Sequence, residues 1–101
     1  MIFQVKLTKE AVEQLHDLDK SSRNKVLEEY RVIEEIGLEK ITDKKQLEKG
    51  LYEIRTDNIR SLFGYRQKQI IIVGLIFVKK TQKTPKRFIE QAKRNIDKYK
   101  E

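Results

Sequence analysis

The chain opens on an alternation. In "IFQVKL", Phe3, Val5 and Leu7 fall on one side and Ile2, Gln4 and Lys6 on the other, the period-two pattern of a short strand. The period then lengthens. Thr8 stands where a helix N-cap would, and Ala11, Val12, Leu15 and Leu18 recur on one helical face. "DKSS" breaks this helix. Ser21 or Ser22 caps a second one, on which Val26, Leu27, Tyr30, Ile33 and Ile36 face inward until Gly37 ends it. Two amphipathic helices across so short a break predict an antiparallel pair.

The next stretch, "LEKITDKKQLEKG", is polar with scattered leucines and reads as a loop ending at Gly50, with at most one helical turn. Three strand-like runs follow. "LYEIRT" alternates Tyr52 and Ile54 against Glu53 and Arg55, and "TDNI" centres a turn on Asp57 and Asn58. "RSLFGYR" is the second run. The third, Ile70 to Val78, is apolar on both faces and rich in β-branched residues, so it is expected to be an inner strand covered on both sides for part of its length. Thr84 as N-cap and Pro85 at the first helical position then start a helix carrying Phe88, Ile89, Ala92, Ile96 and Tyr99 at helical spacing. The predicted fold is α+β: two N-terminal helices and a C-terminal helix packed on a mainly antiparallel four-stranded sheet, in one domain over residues 1–101.

Composition sharpens the picture. Charged residues make up 39% of the chain, well above the usual quarter. Net charge is +7, and it is unevenly spread. Residues 1–50 hold ten Lys and Arg against eleven Asp and Glu, whereas residues 51–101 hold thirteen against five. A one-sided basic field attracts polyanions and speeds their encounter. With no cysteine and one histidine, His16, there is no set of residues for a disulfide, a thiolate nucleophile or a histidine metal cluster. No metal or cofactor is expected. The longest apolar run is nine residues, too short for a membrane span, and the N-terminus lacks the pattern of a signal peptide. A cytoplasmic protein without membrane contact is expected.

The candidate chemistry lies in the second half. A turn at Thr56–Ile59 sets Arg55 opposite Arg60, and alternation places Glu53, Arg55, Arg60 and Arg66 on one sheet face. Tyr52, Ile54, Phe63 and Tyr65 go to the other, against the helices. Two opposed arginines repel unless an anion lies near. Glu53 partly serves, and a phosphate serves better because guanidinium matches its oxygens bidentately. Lys79 or Lys80 joins this face; parity alone leaves open which. Lys83 lies in the connection to the last helix, and Lys86 and Arg87 lie in its first turn, where cations oppose the helix dipole. RNA supplies its own nucleophile, the 2′-hydroxyl, and crowded cations stabilise the phosphorane that its attack creates. A lysine among arginines, or Glu53, is the candidate general base. His16 falls off the apolar stripe and reads as a surface residue.

The run from "LYEIR" through Arg60 and the apolar strand to "FVKKTQKTP" and its basic helix resembles the RelE/ParE-superfamily toxins of bacterial type II toxin–antitoxin systems, in the phage-derived HigB-like branch. The resemblance covers residues 50–99 most strongly. It implies a helical pair packed on an antiparallel sheet. It also implies a metal-independent endoribonuclease that cleaves mRNA in the ribosomal A site and stops translation. A tight antitoxin partner is implied as well, a HigA-like one with a helix-turn-helix domain. Carried over by position, the catalytic site falls on Arg55, Arg60, Lys79 and Lys80, with RNA contacts from Lys83, Lys86, Arg87 and Arg66. Relatives often have an aromatic before the hairpin arginine and a histidine in the last strand; this chain has Ile59, and Gly74 and Leu75, in those places. The alternatives are a non-catalytic basic RNA- or DNA-binding module, an inactive toxin relative, or a structural phage protein.

Overall fold

The computed structural model describes residues 3–40, 43–67 and 69–100, the side chain of Lys40 excepted. The elements run β1 (Gln4–Leu7), α1 (Lys9–Asp17), α2 (Lys20–Ile36), a 3-10 turn (Leu38–Lys40), β2 (Lys44–Glu48), β3 (Leu51–Thr56), β4 (Ile59–Arg66), β5 (Ile70–Val78) and α3 (Lys86–Lys98). The sheet has five strands in the order β1-β5-β4-β3-β2, parallel only at β1/β5. The expected four-stranded sheet is therefore corrected. The fifth strand, β2, lies inside the stretch read as a loop. Its residues are almost all exposed and follow no apolar alternation, so pairing to β3 is its main hold, helped by Leu47 against the α3-side core and by Glu48 Oε1 2.6 Å from Lys93 Nζ.

The helix pair starts and faces largely as its pattern predicts. Thr8 caps α1, its Oγ1 accepting from the Ala11 N–H at 3.3 Å. The second N-cap is Asp19 rather than a serine: its carboxylate accepts from the Ser22 N–H at 3.1 Å, so the helix begins two or three residues early. Ala11, Leu15, Val26, Tyr30 and Ile33 are buried against the sheet. Val12, Leu27 and Ile36, expected inside, are exposed because each sits beside the i, i+4, i+7 stripe rather than on it.

Each sheet face has its own core. Under α1 and α2 lie Ile54, Ile59, Phe63, Ile71, Val73 and Ile76. Helix α3 covers the opposite face, packing Ala92 against Leu51, Leu62 and Leu75. The face carrying Glu53, Arg55, Arg60 and Arg66 is thus a packed interface over much of its area, not an open outer surface. Leu51 and Leu62 share its parity and explain why: two apolar positions at the centre of that face require a cover. Tyr65, expected in the core, is exposed at the uncovered end of the α1/α2 face.

The approach of α3 is close. A Cβ on Gly74 would stand 2.6 Å from the Ala92 carbonyl oxygen and 2.8 Å from Ile96 Cγ1, so only glycine fits. Gly74 also lies at a register shift: Leu62 pairs with Leu75 but Phe63 with Val73. Because β1 ends at Leu7, opposite Val73, the outer edge of β5 beyond it has no partner strand. Side chains close it. The Gly74 carbonyl accepts from Thr8 Oγ1 at 3.3 Å and Asn95 Nδ2 at 2.9 Å, and Gln14 Oε1 accepts from the Ile76 N–H at 2.8 Å. Glu10 joins α1 to α3 across the same rim, accepting from Gln91 at 2.7 Å and Asn95 at 2.6 Å.

Candidate nucleic-acid interface

The β3–β4 hairpin turns at Asp57 and Asn58, with Asp57 at φ 55°, a left-handed conformation that Asp tolerates better than most residues. Arg55 and Arg60 are direct cross-strand partners, as the parity argument requires. Phe77 pairs with Arg60 on the next strand, and two residues on Lys79 keeps that parity; its N–H donates to the Asn58 carbonyl at 2.7 Å. The register thus settles that Lys79, not Lys80, continues the arginine face.

The repulsion between the two arginines is resolved by separate carboxylates. Arg55 is half exposed, with Nη2 3.9 Å from Asp43 Oδ1. It lines a shallow depression of about 200 Å³ with Asp43, Lys44 and Lys45. Arg60 is 12% exposed and folds back over its own turn, donating from Nη1 to the carbonyls of Asp57 at 2.8 Å and Ile59 at 3.1 Å. Its Nε is 3.9 Å from Oε2 of Glu53, which has no exposure at all. That distance gives Coulombic contact without a hydrogen bond, and both atoms are buried without hydrogen-bond partners. Glu53 is therefore closed off from any substrate, which removes it as a candidate base and leaves the ion pair.

Glu53 has a second partner. Thr84 Oγ1 donates a short hydrogen bond to its Oε1. This contact corrects the expected cap of α3. The hydroxyl is drawn down to the sheet, the N-cap position falls to Pro85, and no side chain caps the helix. The first turn contains Lys86 and Arg87 and no acid. Its unsatisfied amide donors and two cations thus share one helical turn. Sequence reading gave Thr84 to the helix because local capping is the commoner use of a threonine there. A contact between residues 31 positions apart leaves no local signal.

A cleft of about 540 Å³ opens between the end of β5, the 79–85 connection and the first turn of α3. Lys79, Lys80, Thr81, Pro85 and Arg87 surround it, and Phe77, Val78 and Phe88 supply its apolar wall. Phe77 and Phe88 pack with ring centroids 4.8 Å apart, and the Arg87 guanidinium carbon lies 4.9 Å from the Phe88 centroid. Residues 79–87 hold five cations and no acid. Among the described residues, no carboxylate forms an ion pair with Lys79, Lys80, Lys83, Lys86 or Arg87. Lys83 and Lys86 are exposed on the connection and helix start. Arg66 lies apart from this group. It caps the far end of α3, donating from Nη1 to the Tyr99 carbonyl and from Nη2 to the Ile96 carbonyl at 2.7 Å. The sequence-predicted cations therefore divide. Lys79, Lys80 and Arg87 share one cleft, Arg60 shares the Lys79 face, Arg55 lies at a separate depression, and Arg66 holds α3.

The five-stranded, mostly antiparallel sheet with its three helices is a RelE-like α+β fold, as solved structures show. The archaeal RelE–RelB complex from Pyrococcus horikoshii OT3 contains a chain with a TM-score of 0.66 and 24% identity, the match covering 77% of this chain and 96% of that one. The toxin–antitoxin complex RelBE2 from Mycobacterium tuberculosis gives 0.65 at 18% identity, covering 78% and 100%. A mutant of the E. coli toxin RelE in the free state gives 0.59 at 14% identity, covering 95% and 99%. No curated protein matches by sequence. The family described as phage-derived protein Gp49-like matches residues 13–97, and the chain belongs to that family. No helix among the described residues is long and apolar enough to cross a membrane.

Proposed function

We propose that this chain is the toxin of a type II toxin–antitoxin pair of the HigB-like branch, an endoribonuclease that cleaves mRNA in the ribosomal A site and stops translation. One observation carries the reading: Lys79, Lys80 and Arg87 line one cleft, Lys83 and Lys86 stand exposed on the same connection and helix start, and none of the five is paired with a described carboxylate. The RelE-like fold supports it, since two structural neighbours come from a RelE–RelB complex and a toxin–antitoxin complex, RelBE2. Lys79, Lys80 and Arg87 hold the scissile phosphate, with Lys83, Lys86 and Arg55 extending the track along the RNA backbone. A lysine takes the 2′-hydroxyl proton, the 2′-oxygen attacks phosphorus, and the 5′-oxygen departs with a proton from a second lysine. Arg60 acts from beneath, fixing the hairpin under Lys79. The partner is a HigA-like antitoxin, and the setting is the cytoplasm, where ribosomes are.

The test is expression of the protein alone with transcript-end mapping. Wild type arrests growth and leaves cuts in translated codons. Lys79→Ala with Lys80→Ala keeps the melting temperature and loses cutting by about a hundredfold or more, the scale of removing one preorganised donor. A double variant that cuts as well as wild type sinks the site. One observation favours the non-catalytic reading: the described cleft offers only lysine and arginine for proton transfer. Salt-dependent RNA binding without transcript cuts would establish that reading instead.

A further inference from the structure

The cleft between β5 and α3 has more than a charged rim. Phe77 and Phe88 form an aromatic wall, half-buried and open to the cleft, with the Arg87 guanidinium over Phe88. Lys79 and Lys80 stand at the same opening. Phe77 and Phe88 pack on the core beneath α3, yet both also line the cleft, and phosphate binding alone needs only cations and amides. A cleft of about 540 Å³ lies within the roughly 300–1,000 Å³ of pockets that enclose small molecules. Aromatic side chains and guanidinium planes beside cations are the surroundings in which an unstacked base is held while its phosphate is neutralised.

We propose that this cleft is a base pocket: it takes one unpaired nucleobase of a single-stranded RNA against Phe88 and Phe77, with the adjoining phosphate on Lys79 and Lys80. The proposal rests on the RNA-directed reading of the same cations, and adds that part of the affinity comes from a base and not from charge alone. An apolar side chain of a protein partner is the competing occupant. Three cations and no acid line the cleft, with two more cations in the adjoining 79–87 segment, and this favours a phosphate-bearing ligand.

The experiment uses the whole protein and two short 2′-deoxy oligonucleotides, which lack the nucleophilic hydroxyl and cannot be cut. One carries a base at every position; the other has the same number of phosphates and abasic sites throughout. Fluorescence anisotropy at fixed salt should show the base-bearing strand bound about tenfold tighter or more, the scale of a stacked base. Phe88→Leu should remove most of that difference while leaving the salt slope unchanged. Equal affinity for the two strands, or no binding of either, overturns the proposal. The wild-type comparison decides even if the variant does not fold. A protein that discriminates the two strands but never cuts RNA in cells retires the nuclease and keeps the pocket. One that cuts RNA without discriminating them does the reverse.

Discussion

Beneath α1 and α2 the sheet buries Ile54, Phe63, Ile71, Val73 and Ile76, and the buried polar pair there, Tyr30 and Ser61, is satisfied by a hydrogen bond of 2.7 Å. Beneath α3 the buried core is Leu51, Leu62, Leu75 and Ala92, and beside it lie a carboxylate and a guanidinium 3.9 Å apart that do not hydrogen-bond. Pattern, capping and packing agree on the first side. On the second, a helix begins uncapped among cations and an acid is enclosed under the connection. Local rules broken without structural gain concentrate where function is. The contrast separates a face that holds the fold together from one that shapes a binding site.

The largest expected effect tests the first face. Phe63→Ala should cost about 3–5 kcal/mol in urea denaturation, because the ring is fully enclosed. A loss under about 1 kcal/mol would mean that this layer is not the main core. The second tests the polar side. Arg60→Ala leaves Glu53 enclosed without its cation and should destabilise by about 3–5 kcal/mol, so its loss of activity would not by itself prove a catalytic role. Glu53→Leu combined with Arg60→Met removes both charges and should recover most of that stability. A double variant as unstable as Arg60→Ala would show that packing, and not an unpaired charge, is responsible.

The smallest effect at neutral pH sharpens the satisfied pair. Burial holds the Tyr30 hydroxyl well above the usual tyrosine range, opposed in part by its bond to Ser61. The folded state thus keeps a proton that the unfolded chain gives up above about pH 10. The stabilisation is fully present below that pH and falls as pH rises through it. Melting temperature should drop on alkaline titration, and Tyr30→Phe with Ser61→Ala should flatten the drop. An unchanged alkaline profile in the double variant would assign it to another group.

Much of the fold was legible because its elements obey short-range rules. Thr8 and the Ala11/Leu15 spacing announced α1, and the Ile70–Val78 run announced a strand covered on both sides. β2 was not legible, since a strand that buries little beyond Leu47 and is held mainly by backbone pairing to β3 carries no side-chain period. The candidate site was legible in part. Parity placed Arg55 against Arg60, and charge counting found Lys79 to Arg87. The closing of Glu53 beneath Thr84, and the diversion of Arg66 to the end of α3, depend on a helix docking from 30 or more residues away. Leu51 and Leu62 flanking Glu53 were the available hint that the arginine face had a cover.

The rim of the sheet limits how this protein can join others. Along β1 the Phe3 N–H donates to the Glu34 carbonyl and the Val5 N–H to the Glu34 carboxylate; beyond β1, Thr8, Gln14 and Asn95 occupy the border of β5. A foreign strand could zip onto that side only by displacing groups from all three helices. Among the described strands, the edge left for sheet extension is β2, short and almost wholly exposed, and the charged Lys45 on it discourages indiscriminate self-association.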